Sequence, residues 1–274
     1  MGEKKIKKTD SEAPILISFY GDDFTGTAAT AEALTQSGLP TVIFTAPPSP
    51  SYLDKHFPRA RAVGISGATR TLSAQAITQV LSPIFLSLKA YQSPVYVYKV
   101  CSTFDSSENI GNIGRAVELG KDTFSLDFIP ILPAAIKIGR YTVFGNHFAA
   151  VGDGEVFRLD RHPSMANHPV TPMVEADLRK HLATQTDLRS GLINILEIRK
   201  GPQRIQSRID ELIAAEVPII FFDCLSDGDL NTICETVFKK AYGNKPLFFI
   251  GSQELGYGLT EALKKTDVLS AQTT

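Results

Sequence analysis

Gly21-Asp22-Asp23-Phe24-Thr25-Gly26-Thr27 follows a short apolar run and opens a stretch of helical pattern. Two adjacent carboxylates at such a junction can accept a proton from a hydroxyl, or fix hydroxyls by hydrogen bonds. Gly21 and Gly26 have the spacing of a phosphate-binding loop, but Thr27 stands where that loop needs lysine. Two aspartates would also repel a bare phosphate cradled there. The segment therefore reads as a loop that handles hydroxyls. The bland competitor is that one aspartate caps the helix and the other is solvated.

A second polar loop, Lys99-Val100-Cys101-Ser102-Thr103-Phe104-Asp105-Ser106-Ser107, ends the apolar run Val95–Val100. Its hydroxyls and carboxylate beside a lysine suit a polyhydroxylated anion, with Lys99 as a point charge for a carboxylate. Ser106 or Ser107 is expected to cap the next helix in any case. Cys101 reads as a small buried hydrophobe, because no neighbour would lower its pKa. Arg70, in Gly67-Ala68-Thr69-Arg70-Thr71, could clamp a carboxylate bidentately or be a surface arginine beside a cap. Asn146 and His147, in Gly145-Asn146-His147-Phe148, again follow an apolar run. Gly251-Ser252-Gln253 precedes the last helical stretch and could hold an anion on backbone N–H groups, or be ordinary punctuation. His162 and His168 lack ligand spacing with any cysteine or carboxylate cluster, so no metal held by protein alone is expected. Arg158, Arg161 and His162 form either a basic rim or a solvated loop.

Positioning these groups takes a regular frame. Apolar runs of strand length recur at Ile15–Tyr20, Thr41–Phe44, Ala62–Ser66, Val95–Val100, Phe124–Phe128, Tyr141–Phe144, Leu192–Ile195, Ile219–Asp223 and Leu247–Ile250. Helical stretches lie near Thr27–Ser37, Ser73–Lys89, Ile110–Lys121, Pro172–Thr184, Gln203–Ala215, Gly228–Tyr242 and Glu254–Lys264, with Thr171-Pro172 as an N-cap and first-turn proline. The alternation predicts an α/β fold: a mostly parallel sheet with helices on both faces. Pro47-Pro48-Ser49-Pro50 reads as a loop, and Gly152-Asp153-Gly154 as the turn of a small antiparallel hairpin excursion near residues 145–170. Residues 1–12 are expected as a disordered basic tail, 13–266 as one α/β domain, and 267–274 as a closing tail.

Composition narrows the classes. The 274 residues are 43% hydrophobic and 21% charged, with 28 basic and 29 acidic side chains and a net charge of −1. That profile excludes a disordered, collagenous or coiled-coil chain. No basic field draws the protein onto nucleic acid, and the first apolar run is too short for a membrane span. Cys101, Cys224 and Cys234 include no CxxC pair, which argues against a disulfide framework or structural zinc. A cytoplasmic protein is expected.

Asp22-Asp23-Phe24-Thr25-Gly26 followed by Tyr98-Lys99-Val100-Cys101-Ser102-Thr103-Phe104-Asp105-Ser106-Ser107 resembles the four-carbon acid sugar kinase family. Gly111-Asn112-Ile113-Gly114, Gly145-Asn146-His147-Phe148, His168-Pro169-Val170-Thr171-Pro172-Met173 and the Arg70 turn fit the same pattern in the same order. The resemblance implies transfer of the ATP γ-phosphate to a terminal hydroxyl of erythronate, threonate or 3-oxo-tetronate, with Mg²⁺ accompanying ATP. It implies Asp22 or Asp23 as the carboxylate facing the attacking hydroxyl. Lys99 and Arg70 would hold the acid group, with Thr25, Gly26, Ser102, Thr103, Asn146 and His147 around the substrate. Ser252 would meet the nucleotide, although Gln253 departs from the small residue expected beside it. In that family a further C-terminal domain holds ATP and Mg²⁺, and its Gly-rich loops do not occur in these 274 residues. An excised piece, a truncated product or one half of a split kinase is therefore expected, inactive alone, with a homodimer or a C-terminal half in trans as partner. A different class stays open: a non-catalytic module that captures hydroxy acids. A dehydrogenase is disfavoured, since no GxGxxG follows the first strand.

Overall fold

A computed structural model describes residues 14–266 apart from 153, 243 and 244. The expected tails, and Asp153 of the hairpin turn, lie outside the described residues. The strands are β1 (Ile17–Gly21), β2 (Thr41–Phe44), β3 (Ala62–Ser66), β4 (Val95–Lys99), β5 (Ile129–Leu132), β6 (Arg140–Val143), β7 (Asn146–Val151), β8 (Glu155–Arg158), β9 (Ser190–Ile193), β10 (Ile219–Phe222) and β11 (Leu247–Gly251). The helices are α1 (Phe24–Gln36), α2 (Pro50–His56), α3 (Ala74–Ala90), α4 (Ile113–Phe124), α5 (Leu178–Leu182), α6 (Ile195–Ile198), α7 (Pro202–Ala214), α8 (Asp227–Ala241) and α9 (Leu255–Lys265).

Eight strands make one parallel sheet in the order β2-β3-β1-β4-β11-β5-β10-β9. Its central strands are buried on both faces, and alternation divides them between two cores. Ile17, Phe19, Val97, Phe222 and Phe249 pack with Leu34, Ile205, Ile233 and Leu259 of α1, α7, α8 and α9. Tyr20, Tyr98, Phe221 and Phe248 pack with Ile77, Phe85, Val117 and Leu178 of α3, α4 and α5. After β1 the chain thus leaves on one face, through α1, and after the adjacent β4 on the other, through α4. Such a divergence opens a crevice at the carboxyl ends of the two strands, where open α/β sheets bind ligands.

The fold class and the antiparallel excursion are as expected, the latter as the three-stranded sheet β6-β7-β8. Several boundaries differ. The strand expected at Phe124–Phe128 lies instead at Ile129–Leu132. Phe124 ends α4 inside an aromatic cluster with Phe85, Tyr96 and Phe248, and Ser125 turns left-handed at φ 55°. Pro130 is tolerated in β5 because alternation aims its nitrogen at β11, whose pairing begins only at Ile131. The helix expected over Pro172–Thr184 shrinks to α5, capped by Asp177 rather than Thr171. Residues before it are drawn into pairing, with His147 N donating to Ala176 O and Met173 N to Met165 O. Asn112, not Ser106 or Ser107, caps α4 by accepting from Arg115 N. The Pro47–Pro50 loop runs directly into α2, capped by Ser49 with Pro50 in its first turn.

Candidate functional site

Gly21 of β1 sits in register with Lys99 of β4, which itself pairs with Gly251 of β11. Asp22 and Asp23 therefore emerge from the sheet directly beside the Lys99 side chain. Arg70 arrives from the turn after β3, held by its backbone N–H to Asp22 O at 3.2 Å. Thr69, one residue earlier, bonds the Tyr98 hydroxyl at 3.0 Å, and Tyr98 stacks on Tyr20. Gly67 lets this turn close over Tyr20, whose hydroxyl would lie 1.8 Å from any Cβ there.

The four charged groups form one cluster. Arg70 grips Asp22 bidentately, Nε to Oδ2 at 3.0 Å and Nη2 to Oδ1 at 2.7 Å. Lys99 Nζ donates to Asp23 Oδ1 at 3.1 Å and lies 3.9 Å from Asp22 Oδ1, while Arg70 Nη2 is 3.0 Å from Asp23 Oδ1. Asp23 Oδ1 also accepts from Gly26 N at 3.0 Å, which makes Asp23 the N-cap of α1. Gly26 is required by this approach: a Cβ would sit 1.5 Å from Lys99 Nζ. Arg70 and Lys99, expected to hold a substrate carboxylate, are both engaged by aspartates in this structure.

The two aspartates are not equivalent. Burial pushes the Asp22 carboxyl up, against the pull of Arg70 and Lys99. Arg70, despite its own desolvation, is raised by its bond to Asp22. For Asp23 burial also pushes up, but Lys99, Arg70 and the hydrogen bonds outweigh it and hold the carboxyl below its ordinary value. The Asp23 side chain is 28% exposed, against 5% for Asp22. Its Oδ2 accepts no hydrogen bond among the described residues. Asp23 therefore offers an ionised, unoccupied oxygen to the crevice, and Asp22 offers none.

The loop after β4 lines the next stretch. The Thr103 hydroxyl donates to Asp105 Oδ1 at 2.6 Å and lies 2.9 Å from Cys101 Sγ, whose thiol is pushed up by burial. The Ser102 hydroxyl has no hydrogen bond among the described residues. His147, expected as a substrate ligand, is fully buried, and burial lowers it to about 4. Its Nε2 donates to Ser102 O at 2.7 Å and its neutral Nδ1 accepts from the Thr142 hydroxyl at 2.9 Å. It is a positioning residue, tying β6 and β7 to the Ser102 loop. Asn146 lies half-buried at the start of β7, with its amide on Phe144 O, and Thr25 is exposed on the first turn of α1.

Ser252, expected to meet nucleotide, is fully buried, with its hydroxyl donating to Ala134 O and accepting from Glu254 N. Its side chain is thereby unavailable. No group of three or more His, Cys, Asp or Glu that could hold a metal occurs among the described residues.

Two features escaped sequence reasoning. Asp223, at the end of β10, accepts from the backbone N–H groups of Phe144, Gly145 and Ile195 and so anchors the small sheet to the large one. Ser106, Gln185 and His181 form a buried network over the N-terminus of α4, where Gln185 Oε1 receives Ile113 N and Gly114 N. Neither has a local sequence signal, because each joins segments 28 or more residues apart.

A family model described as "Sugar-binding N-terminal domain" matches residues 17–259. A curated 3-oxo-isoapionate kinase of Paraburkholderia graminis is 41% identical over 247 residues, 90% of this chain and 51% of that protein. A 3-oxo-tetronate kinase of Haemophilus influenzae is 33% identical over 240 residues, 85% of this chain and 54% of that protein. This chain spans about half the length of the curated relatives it matches. The crystal structure of a Haemophilus influenzae protein superposes with a TM-score of 0.76 at 28% identity, covering 90% of this chain and 56% of that one. The resemblance seen in the motifs and the parallel sheet that carries them agree, and the chain belongs to the family of sugar-binding N-terminal domains found in sugar-acid kinases.

Proposed function

We propose that this chain forms the acceptor half of an ATP-dependent kinase that phosphorylates the terminal hydroxyl of a four-carbon sugar acid, such as threonate, erythronate or 3-oxo-tetronate. The observation that carries the reading is the free Oδ2 of Asp23 at the β1–β4 crevice, in a carboxylate held ionised by Lys99 and Arg70. The acceptor hydroxyl donates to that oxygen, and its proton passes to Asp23 as the hydroxyl oxygen bonds the γ-phosphorus and the bond from that phosphorus to the β,γ-bridging oxygen breaks, releasing ADP. Asp22 keeps Arg70 in place, and Arg70 and Lys99 together fix the orientation of Asp23. Ser102 and Thr103 face the remaining hydroxyls. ATP with Mg²⁺ supplies the phosphoryl group, bound by the half of the relatives that this chain does not span or by a copy of such a half in trans.

One observation favours a second reading, a hydroxy-acid-binding module without transfer: the Ser252 side chain is closed to a nucleotide. Phosphate transfer separates the two. Incubating 3-oxo-tetronate or erythronate with ATP, Mg²⁺, this chain and the C-terminal half of a relative should give the phosphorylated acid at micromolar or higher protein concentration, since the tether's effective concentration, on the order of millimolar, is lost. The chain alone should give none. No product with the C-terminal half of any relative tried would leave the module reading standing.

A further inference from the structure

A sugar acid carries its own carboxylate into the crevice, and the cluster described above has no charge to spare for it. Two aspartates and two cations sum to zero there. Nine arginines lie within 4.0 Å of a carboxylate: 70, 115, 158, 161, 179, 189, 199, 204 and 208. Arg59, Arg61 and Arg140 do not, among the described residues. Arg59 and Arg61 lie just before β3, at the opposite end of the sheet. Arg140 opens β6, in the small sheet beside the crevice.

The Arg140 guanidinium is fixed but incompletely used. Its Nη1 donates to Ile138 O, Gly139 O and Ala150 O at 2.9, 3.3 and 3.0 Å, while Nε is buried without a partner. Arg140 and Thr142 share one face of β6 by alternation, and Thr142 holds His147, which in turn holds Ser102 O. Arg140 is also close enough to Cys101 and His147 for its charge to act on both. A second donor lies close enough to Arg140 to feel its charge. His162 accepts Ser164 N and Met165 N on Nδ1, so its proton sits on Nε2, which is buried near Ala150 O without forming a well-aligned hydrogen bond. A half-buried cation and a buried N–H left unmatched are costly unless a ligand completes them.

We propose that Arg140, assisted by His162 Nε2, receives the carboxylate of the sugar acid and so selects acids over neutral sugars. The proposal rests on the reading of the crevice as a sugar-acid site. The planar guanidinium suits a carboxylate, with Nε and Nη2 as the two donors of a fork. Arg140 then fixes one end of the substrate while Asp23 meets the hydroxyl at the other.

Calorimetric titration of the purified chain with erythronate, and with its neutral counterpart erythritol, tests this. Arg140→Gln should raise the dissociation constant for erythronate at least about thirtyfold and leave erythritol unchanged, with Arg140→Lys in between. Because Arg140→Gln also removes the Nη1 bonds, a second measurement uses the unaltered protein. The Arg140 Nε–H resonance should shift when erythronate is added and stay in place with erythritol. Erythronate bound by Arg140→Gln within threefold of the unaltered chain, or a stationary resonance on binding, overturns the role of Arg140 and leaves the sugar-acid reading intact. Failure of the unaltered chain to bind erythronate, threonate or 3-oxo-tetronate overturns both.

Discussion

Asp22 and Asp23 are neighbours in the chain with different work. Asp22 has both oxygens committed to Arg70, whereas Asp23 keeps one oxygen free. Asp23→Asn should therefore lower turnover by ~10²–10⁴-fold in the assembled kinase, the usual range for loss of a general base, with little change in sugar-acid affinity. Asp22→Asn should lower affinity and stability as well, since breaking a buried pair strands Arg70 at a cost of about 3–5 kcal/mol. Steady-state kinetics with chemical denaturation separates the two; a drop of less than about threefold in turnover for Asp23→Asn would remove it from the chemistry. His147 makes a prediction about acid. Its folded pKa of about 4 lies below the ordinary 6.5, so between those values the unfolded chain takes a proton that the native one refuses. Stability is full above about pH 6.5 and falls as pH drops toward 4, by up to about 3 kcal/mol from this group. His147→Gln should flatten the unfolding free energy across that window, and an unchanged slope would refute the burial argument. That Asp22, Asp23, Arg70 and Lys99 gather at one end of the sheet was legible because each lies at or shortly after the carboxyl end of an apolar strand. Their mutual pairing was not, because it spans 48 and 76 residues and depends on strand register.

At the scale of elements, two glycines set how closely parts approach. Gly26 on α1 leaves room for Lys99 Nζ, and Gly120 on α4 leaves room for the Phe248 ring, 2.1 Å from where a Cβ would lie. The consequences differ. Gly26→Ala pushes the buried Lys99 ammonium off Asp23, so it should lower both stability and the turnover of the assembled kinase, the latter about tenfold or more. Gly120→Ala forces an aromatic core apart and should cost about 1–3 kcal/mol of stability while leaving the turnover of the folded protein unchanged. Melting curves and steady-state kinetics of the two variants check this difference. The strands were legible where both faces are apolar, as in ISFYG and LFFIG. The reading failed where one apolar residue serves a helix end, as Phe124 does, and where a helical pattern is overruled by backbone pairing, as before Asp177.

For the whole molecule, the order of strands brings residues from four separate loops to one end of one sheet, at the point where successive helices diverge. That geometry gathers Asp22, Asp23, Arg70 and Lys99 at the crevice proposed to take the acceptor. No helix among the described residues is long and apolar enough to cross a membrane. The α/β class could be read from the alternation of apolar runs and helical stretches. Arg140 could not be singled out, since nothing local marks an arginine that meets no carboxylate among the described residues only after the sheets have docked. The central claim is that the crevice between β1 and β4 takes a sugar acid without needing nucleotide. Calorimetric titration of the purified chain with 3-oxo-tetronate, erythronate and threonate, and separately with ATP and Mg²⁺, tests it most directly. Saturable binding of at least one of the acids is predicted, with no heat from ATP. Binding of none of the acids, or of ATP with none of the acids, would contradict it.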